Sequence, residues 1–544
     1  MKSKLYYGEY IETASKYADI VAATLKQPLD HFDETTNITF EQRYWYSLRH
    51  YKPPSQRAKG EPVPVFILES GEADAQDRLP YLDHGILDIL TSAVGGIGVI
   101  LEHRYYGKSF PSRDEFGPGD GWSVDELRWL NNRQALEDSA DFVRRVTFDG
   151  IAEEDAKVGK EGRAHISYGG SYAGARSAHL RVLYPDLFFG AFASSAVTAA
   201  LENFPEYFYP IARGANQTVI QALQAAIASL DLILAPVAAE GRRQTHRDAK
   251  KTAALLELAG VKGLTEPADF AQLTVYPLGD WQSLNWDDSL SPSNFADFLS
   301  AISHTPERKL KPLRDLARKL GFHDGEIAEE ALRLILYLRR KIIDPCVSKG
   351  GHTADECFGT GNYSDFINEP RLTTSKSWSF QVCTQWGFFQ TAPKMTAPGA
   401  QGPFVVSGPK IISSLVDLEY SSEMCRKGFP AGKHFSVPEH PDVAAVNVLG
   451  NFSIAHYRLG FLDGQFDPWR EASVHSETYA QGGARAHTLD QPFILIANAT
   501  HHWDENGPAH DGSSSPEPDY MRAVHQEMIK AVRHWLSQWE KDGA

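Results

Sequence analysis

The chain is poor in the features that would mark several protein classes. No apolar run reaches the length of a bilayer span, so no membrane-crossing helix is expected. Positive charge is in deficit: 54 Lys and Arg against 70 Asp and Glu leave a net charge of −16, which repels phosphate backbones and excludes nucleic acid as a partner. The first residues, MKSKLYYGEYIETASKYADI, begin with positive charge but lack the apolar stretch of a secretory leader. Only four cysteines occur, all between 346 and 425. An even, clustered set is what two disulfides leave, and Cys346 with Cys357 is the natural local pair; four free buried thiols are the alternative reading.

The chain is long and ordinary in composition. At 544 residues it exceeds one compact core, fitting two structural units or one large core with an insertion. Hydrophobic content of 42% with 23% charged residues is that of a globular enzyme. Five glycosylation sequons stand at Asn37, Asn216, Asn362, Asn451 and Asn498. With the cysteine pattern they point to an extracellular or vacuolar-lysosomal protein, and we place the missing leader upstream of this Met1.

Short, nearly continuous apolar runs at 64–69, 97–107, 164–170 and 187–196 alternate with helical patterns, which predicts an α/β fold built on a parallel sheet. Apolar spacing over 125–146 predicts one amphipathic helix. After about residue 200 the chain becomes rich in Ala and Leu without strand patterns. We therefore expect a hydrolase core over 27–200, an inserted helical domain over 201–355, and the rest of the core over 356–544. Strand patterns return at 454–462 and 493–498, a long helix closes the chain over 520–541, and 504–519 reads as a solvated loop.

Ser171 sits in Gly169-Gly170-Ser171-Tyr172-Ala173-Gly174, between a predicted strand and a predicted helix. A nucleophile elbow needs such small neighbours because the turn is strained and its strand and helix approach closely. No lysine follows as a phosphate-binding Walker loop requires. A serine hydroxyl needs a base, and the base needs an orienting acid. In the α/β-hydrolase fold these follow in the order Ser, Asp or Glu, His, on loops after late strands. Asp467 in LDGQFDPW (462–469) and His502 in NATHHWD (498–504) occupy those places. Asp463 and His501 are their rivals. His-His-x-Asp also suggests a metal site, but further ligands are not apparent and no metal or cofactor is implied.

Several strings together resemble the family of lysosomal Pro-X carboxypeptidase and dipeptidyl peptidase II, with its secreted fungal prolyl peptidases. They are QPLDHFD (27–33), SGEADAQ (70–76), EHRYYGKSFP (102–111), LNNRQALEDSADF (130–142), GGSYAGA (169–175), FQVCTQWGFFQ (380–390), DGQFDPW (463–469) and HHWD (501–504). The resemblance implies an α/β-hydrolase fold with a helical cap and a serine peptidase acting after proline. It implies Ser171, Asp467 and His502 as the triad, the Tyr172 N–H and the loop at Gly71–Glu72 as oxyanion donors, and pairing of Cys383 with Cys425. Departures are Asp463 for Asn, Ala173 for Gly and Trp503 for Leu.

Peptides are thus the expected partners, and a homodimer is the assembly considered. Trp469 would offer a flat wall to a proline ring, and Trp503 is counted with it among the substrate-binding residues. Glu72 and Asp74 would clamp a free amine, whereas Arg104 or Lys108 would hold a terminal carboxylate.

Overall fold

β3 (Val63–Glu69), β4 (Ile97–Leu101) and β6 (Phe188–Ser194) are buried at every residue, as strands covered on both faces must be. The computed structural model describes residues 17–33, 35–116, 122–157, 162–234, 246–361, 363–393, 410–479 and 485–539. With β1 (Ile20–Pro28), β2 (Thr39–Ser47), β5 (Arg163–Gly170), β9 (Leu459–Gly464) and β10 (Phe493–Ile496) these strands form one sheet in the order β1-β2-β4-β3-β5-β6-β9-β10. β2 runs antiparallel to both of its neighbours, and every pairing from β4 to β10 is parallel. That order and direction are those of the α/β-hydrolase fold.

The antiparallel pair β1 and β2 is absent from the sequence reading. β1 alternates exposed with partly buried residues, so it carries no continuous apolar run of the kind that betrayed the inner strands. The helix expected over 125–146 is two helices, Val124–Leu127 and Asn132–Arg145. The first ends at Leu127, and Asn131 caps the second, its side chain accepting from the Gln134 N–H at 3.0 Å.

Between β6 and β9 lies the helical region. β7 (Leu201–Asn203) leaves the core and β8 (Gly387–Phe389) returns beside it, parallel, as a two-stranded sheet that the sequence did not announce. Between them come the helices Phe208–Gly214, Gln217–Leu234, His246–Ala259, Ser293–Ser303, Glu307–Lys319 and Glu329–Leu338, among shorter ones. Gln217–Leu234 corrects one expectation, being long and apolar enough by length and composition to cross a membrane. Here it buries Leu223, Ile227 and Leu230 in the apolar cluster of the helical region and packs on Glu329–Leu338. The same cluster runs on through Val197 and Trp386 to Tyr172, so the helical region shares one core with the residue that follows Ser171.

The closing helix, Asp519–Leu536, buries Met521, Val524, Met528, Val532 and Trp535 at three- and four-residue spacing. The Trp535 ring stacks on Phe192 of β6 with centroids 4.8 Å apart. Full burial of each such side chain contributes about 1.5–3 kcal/mol. Both disulfides form, Cys346–Cys357 and Cys383–Cys425. The short loop closed by the first is worth about 3 kcal/mol through the entropy it removes from the unfolded chain.

Candidate active site

Ser171 stands where β5 turns into the helix Ser171–Leu183, with φ +61°. A non-glycine residue at such an angle is strained, and a strained turn lifts the hydroxyl clear of the sheet. Gly174 makes the elbow tight: a Cβ there would lie 2.7 Å from the Ser194 carbonyl oxygen of β6. Ala173 points its methyl at Gly71, whose own φ is +71° and whose absent Cβ would come within 3.3 Å of it. The small residue two places after the serine is therefore matched by a glycine on the loop after β3.

Asp467 is fully buried after β9. It accepts from the Trp469 N–H at 2.9 Å, and its two carboxylate oxygens lie 3.0 and 2.8 Å from Nδ1 of His501. Burial works against its charge. His501, the Ser195 hydroxyl and the Trp469 N–H together outweigh burial and hold the carboxyl below its ordinary range. The acid therefore pairs with His501 and not with His502, the histidine favoured by the sequence. His502 is turned by its φ of +36°, and the two rings, with centroids 4.3 Å apart and planes at 53°, meet different carboxylates. Its Nδ1 faces Glu505 Oε2 at 3.0 Å, an ion-pair contact off the axis of a hydrogen bond. Burial and Arg78 disfavour the His502 cation, but Glu505, with Asp467 behind it, more than compensates, and the His502 pKa is raised above its ordinary value.

One small hydroxyl links the two histidines. Ser195, itself at φ +45°, accepts the His502 backbone N–H at 2.8 Å and donates to Asp467. It was not legible in the sequence, since nothing in LFFGAFASSA marks that serine. Asp463, the rival acid, pairs instead with His475 at 2.5 Å. Among the described residues no cluster of three His, Cys, Asp or Glu side chains is placed to hold a metal ion.

Ser171, His501 and His502 line a cavity of about 590 Å³ with Glu72, Arg78 and Trp469. Burial pushes the Glu72 carboxyl up against the pull of Arg78 and the two histidines. No side chain among the described residues hydrogen-bonds it. Trp469 is fixed by its indole N–H to Gln282 at 2.7 Å and stacks on Phe204, which leaves it a rigid wall. Glu505, assigned by sequence to a solvated loop, is buried here. The polarity of DENGPAHDG hid it.

Other expectations fail on geometry. Asp74 faces away from the cavity, accepting from Arg43 at 2.6 Å and from the Gln76 N–H at 3.0 Å. Trp503 is buried behind the site, its indole N–H given to the Leu284 carbonyl at 2.7 Å. Arg104 grips Asp138 through Nε and Nη2 at 2.6 and 2.7 Å, and Lys108 is exposed elsewhere. Of the sequons, Asn37, Asn216 and Asn498 are exposed and Asn451 is half-buried, while Asn362 lies outside the described residues.

Fold and chemistry together define a serine-type hydrolase. A family profile described as "Serine carboxypeptidase S28" matches residues 27–256. A "Probable extracellular serine carboxypeptidase" of Arthroderma benhamiae is 35% identical over 536 residues, 95% of this chain and 68% of that one. "Serine protease vicPa" of Bipolaris victoriae is 27% identical, over 88% of this chain and 83% of its own. The "Thymus-specific serine protease" of Mus musculus is 28% identical, over 95% and 88%. The chain belongs to the serine carboxypeptidase S28 family and is a serine peptidase.

Proposed function

We propose that the protein cleaves peptides after proline through an acyl-enzyme, with Ser171 as nucleophile, His501 as base and Asp467 as orienting acid. The observation that carries this reading is the buried Asp467–His501 pair opening on the cavity that also holds Ser171. A carboxylate on Nδ1 fixes the tautomer that leaves Nε2 bare, the form able to take the serine proton and pass it to the leaving amine. The Tyr172 N–H and the loop at Gly71 supply the oxyanion donors, beside a strained elbow that holds both in place. Water then repeats the attack on the acyl-enzyme.

Proline is favoured by the cavity's aromatic walls, Trp469, Phe388 and Trp378, since a rigid apolar ring gains most from flat, preorganised surfaces. The helices of 201–355 act as a cap, supplying Gln282 to the cavity. Two disulfides and three exposed sequons support a secreted or vacuolar-lysosomal location.

The test uses wild type and Ser171→Ala on three proline peptides, with both ends free, N-blocked or C-blocked, and the products read by mass spectrometry. Cleavage after proline by wild type alone is expected, and the block that stops it names the end at which the enzyme works. Hydrolysis of simple acyl esters with all three peptides left intact would replace this reading by an esterase.

A further inference from the structure

Beneath Tyr172, outside the cavity, lies a set of polar side chains that the proposed chemistry does not use. Tyr172 OH is 2.8 Å from Nε2 of His103 and 2.9 Å from Nε2 of Gln381. Gln381 Oε1 takes the Tyr106 hydroxyl at 2.5 Å, and His103 Nδ1 lies 2.6 Å from the Arg104 carbonyl oxygen. All four side chains are buried.

The proton positions in this set are determined. The Arg104 carbonyl only accepts, so His103 Nδ1 carries a proton. Burial and the neighbouring Arg176 cation hold the His103 pKa well below 6.5, so the ring is neutral and its Nε2 accepts. The single Tyr172 hydroxyl proton is spent there, so Gln381 presents its amide N–H₂ to Tyr172 and its oxygen to Tyr106. A one-directional chain results: Tyr106 to Gln381, Gln381 to Tyr172, Tyr172 to His103, His103 to the backbone of Arg104.

We propose that His103, Gln381 and Tyr106 are positioning residues for the oxyanion hole, holding Tyr172 by its hydroxyl so that the N–H next to Ser171 keeps one orientation. This rests on the role given above to the Tyr172 N–H. Apolar packing alone would retain the ring, which already meets Trp386 edge-on at 4.9 Å and Trp378 at 5.6 Å. Buried polar groups cost stability relative to well-packed apolar ones, and what a fully satisfied chain adds is a unique geometry. Oxyanion donors demand that, because their value lies in being fixed before charge develops. The chain also joins two distant parts of the sequence. His103 and Tyr106 follow β4, whereas Gln381 ends the helix Thr374–Gln381, shortly before β8.

The experiment compares Gln381→Leu, His103→Phe and Tyr106→Phe with wild type, each normalised by labelling of the active serine with a fluorophosphonate. For the first two, kcat is expected to fall at least about tenfold with KM within about threefold, as loss of a transition-state interaction requires. Affinity for a peptidyl trifluoromethyl ketone, whose adduct carries an oxyanion, should fall by the same factor as kcat/KM. Tyr106→Phe, at the far end of the chain and least disruptive to packing, should lose about threefold or more in both measures. Unchanged kcat per labelled site in the folded variants, or a rise in KM alone, overturns the proposal. If the first two do not fold, an unaltered Tyr106→Phe overturns it by itself. Labelling or activity surviving in Ser171→Ala would instead mark failure of the nucleophile assignment.

Discussion

Two carboxylate–histidine pairs stand side by side at the cavity, from histidines adjacent in sequence whose ring centroids are 4.3 Å apart. In one, Asp467 meets His501 with both oxygens and is steadied by the Trp469 N–H and the Ser195 hydroxyl. In the other, Glu505 meets His502 off the hydrogen-bond axis, with Tyr81 donating to the same carboxylate and the Arg78 charge beside it. The residue types hardly differ. What differs is the geometry of the contact. An acid that meets Nδ1 along its hydrogen-bond axis holds its histidine in one tautomer, whereas an acid off that axis supplies charge without fixing orientation.

The largest effect should separate the two histidines. His501→Ala is expected to lower kcat/KM by about 10⁴-fold or more on a proline peptide, and His502→Ala by less than about 10²-fold. The opposite ranking breaks the comparison outright. Next come the acids: Asp467→Asn should cost about 10⁴-fold by presenting an amide to Nδ1, against about tenfold or less for Glu505→Gln. The third expectation is electrostatic. Burial lowers the His502 pKa and Arg78 adds to that, while Glu505 is the largest influence raising it, ahead of Asp467, so Glu505→Gln should move the His502 titration, read by NMR, downward. A folded pKa raised above the unfolded value stabilises the protein below that unfolded value. The benefit is lost as pH rises through the raised pKa, and the variant should lose this pH dependence in denaturant unfolding just above pH 6.5. For Asp467, whose pKa is depressed, the benefit is present above about 3.8 and lost on acidification below it. The smallest effect is Ser195→Ala, about 1–2 kcal/mol of stability, because it leaves the His502 N–H without its acceptor.

The inner sheet and the elbow were legible because both depend on local pattern. Apolar strands buried on two faces write continuous runs, and an elbow writes small residues around a serine. Asp467 was legible from its place after a strand. His501 was not separable from His502, because two residues after the same strand share every positional argument and differ only in a backbone angle. Glu505 and Arg78 were hidden in polar segments that the fold turns inward. Tyr172 was read for its N–H, but its hydroxyl partners come from residues 103 and 381, a convergence that no single segment records. β1 and β2 went unread for the opposite reason, since an edge strand and its neighbour with mixed exposure have no strong period.

The pairing of β6 with β9 has a consequence for how the protein is made. Residue 194 ends one strand, and its neighbour begins only at 459. At about 5–20 residues per second, a ribosome needs roughly 13–53 s to deliver that partner. Throughout this interval the growing chain carries Ser171 on a sheet whose β6 edge is raw, open to pairing with another nascent copy. With the roles proposed above for Ser171 and His501, the base is also made only after this interval. Synthesis order would then keep the peptidase silent, and the same delay makes the unfinished chain the form most in need of a chaperone.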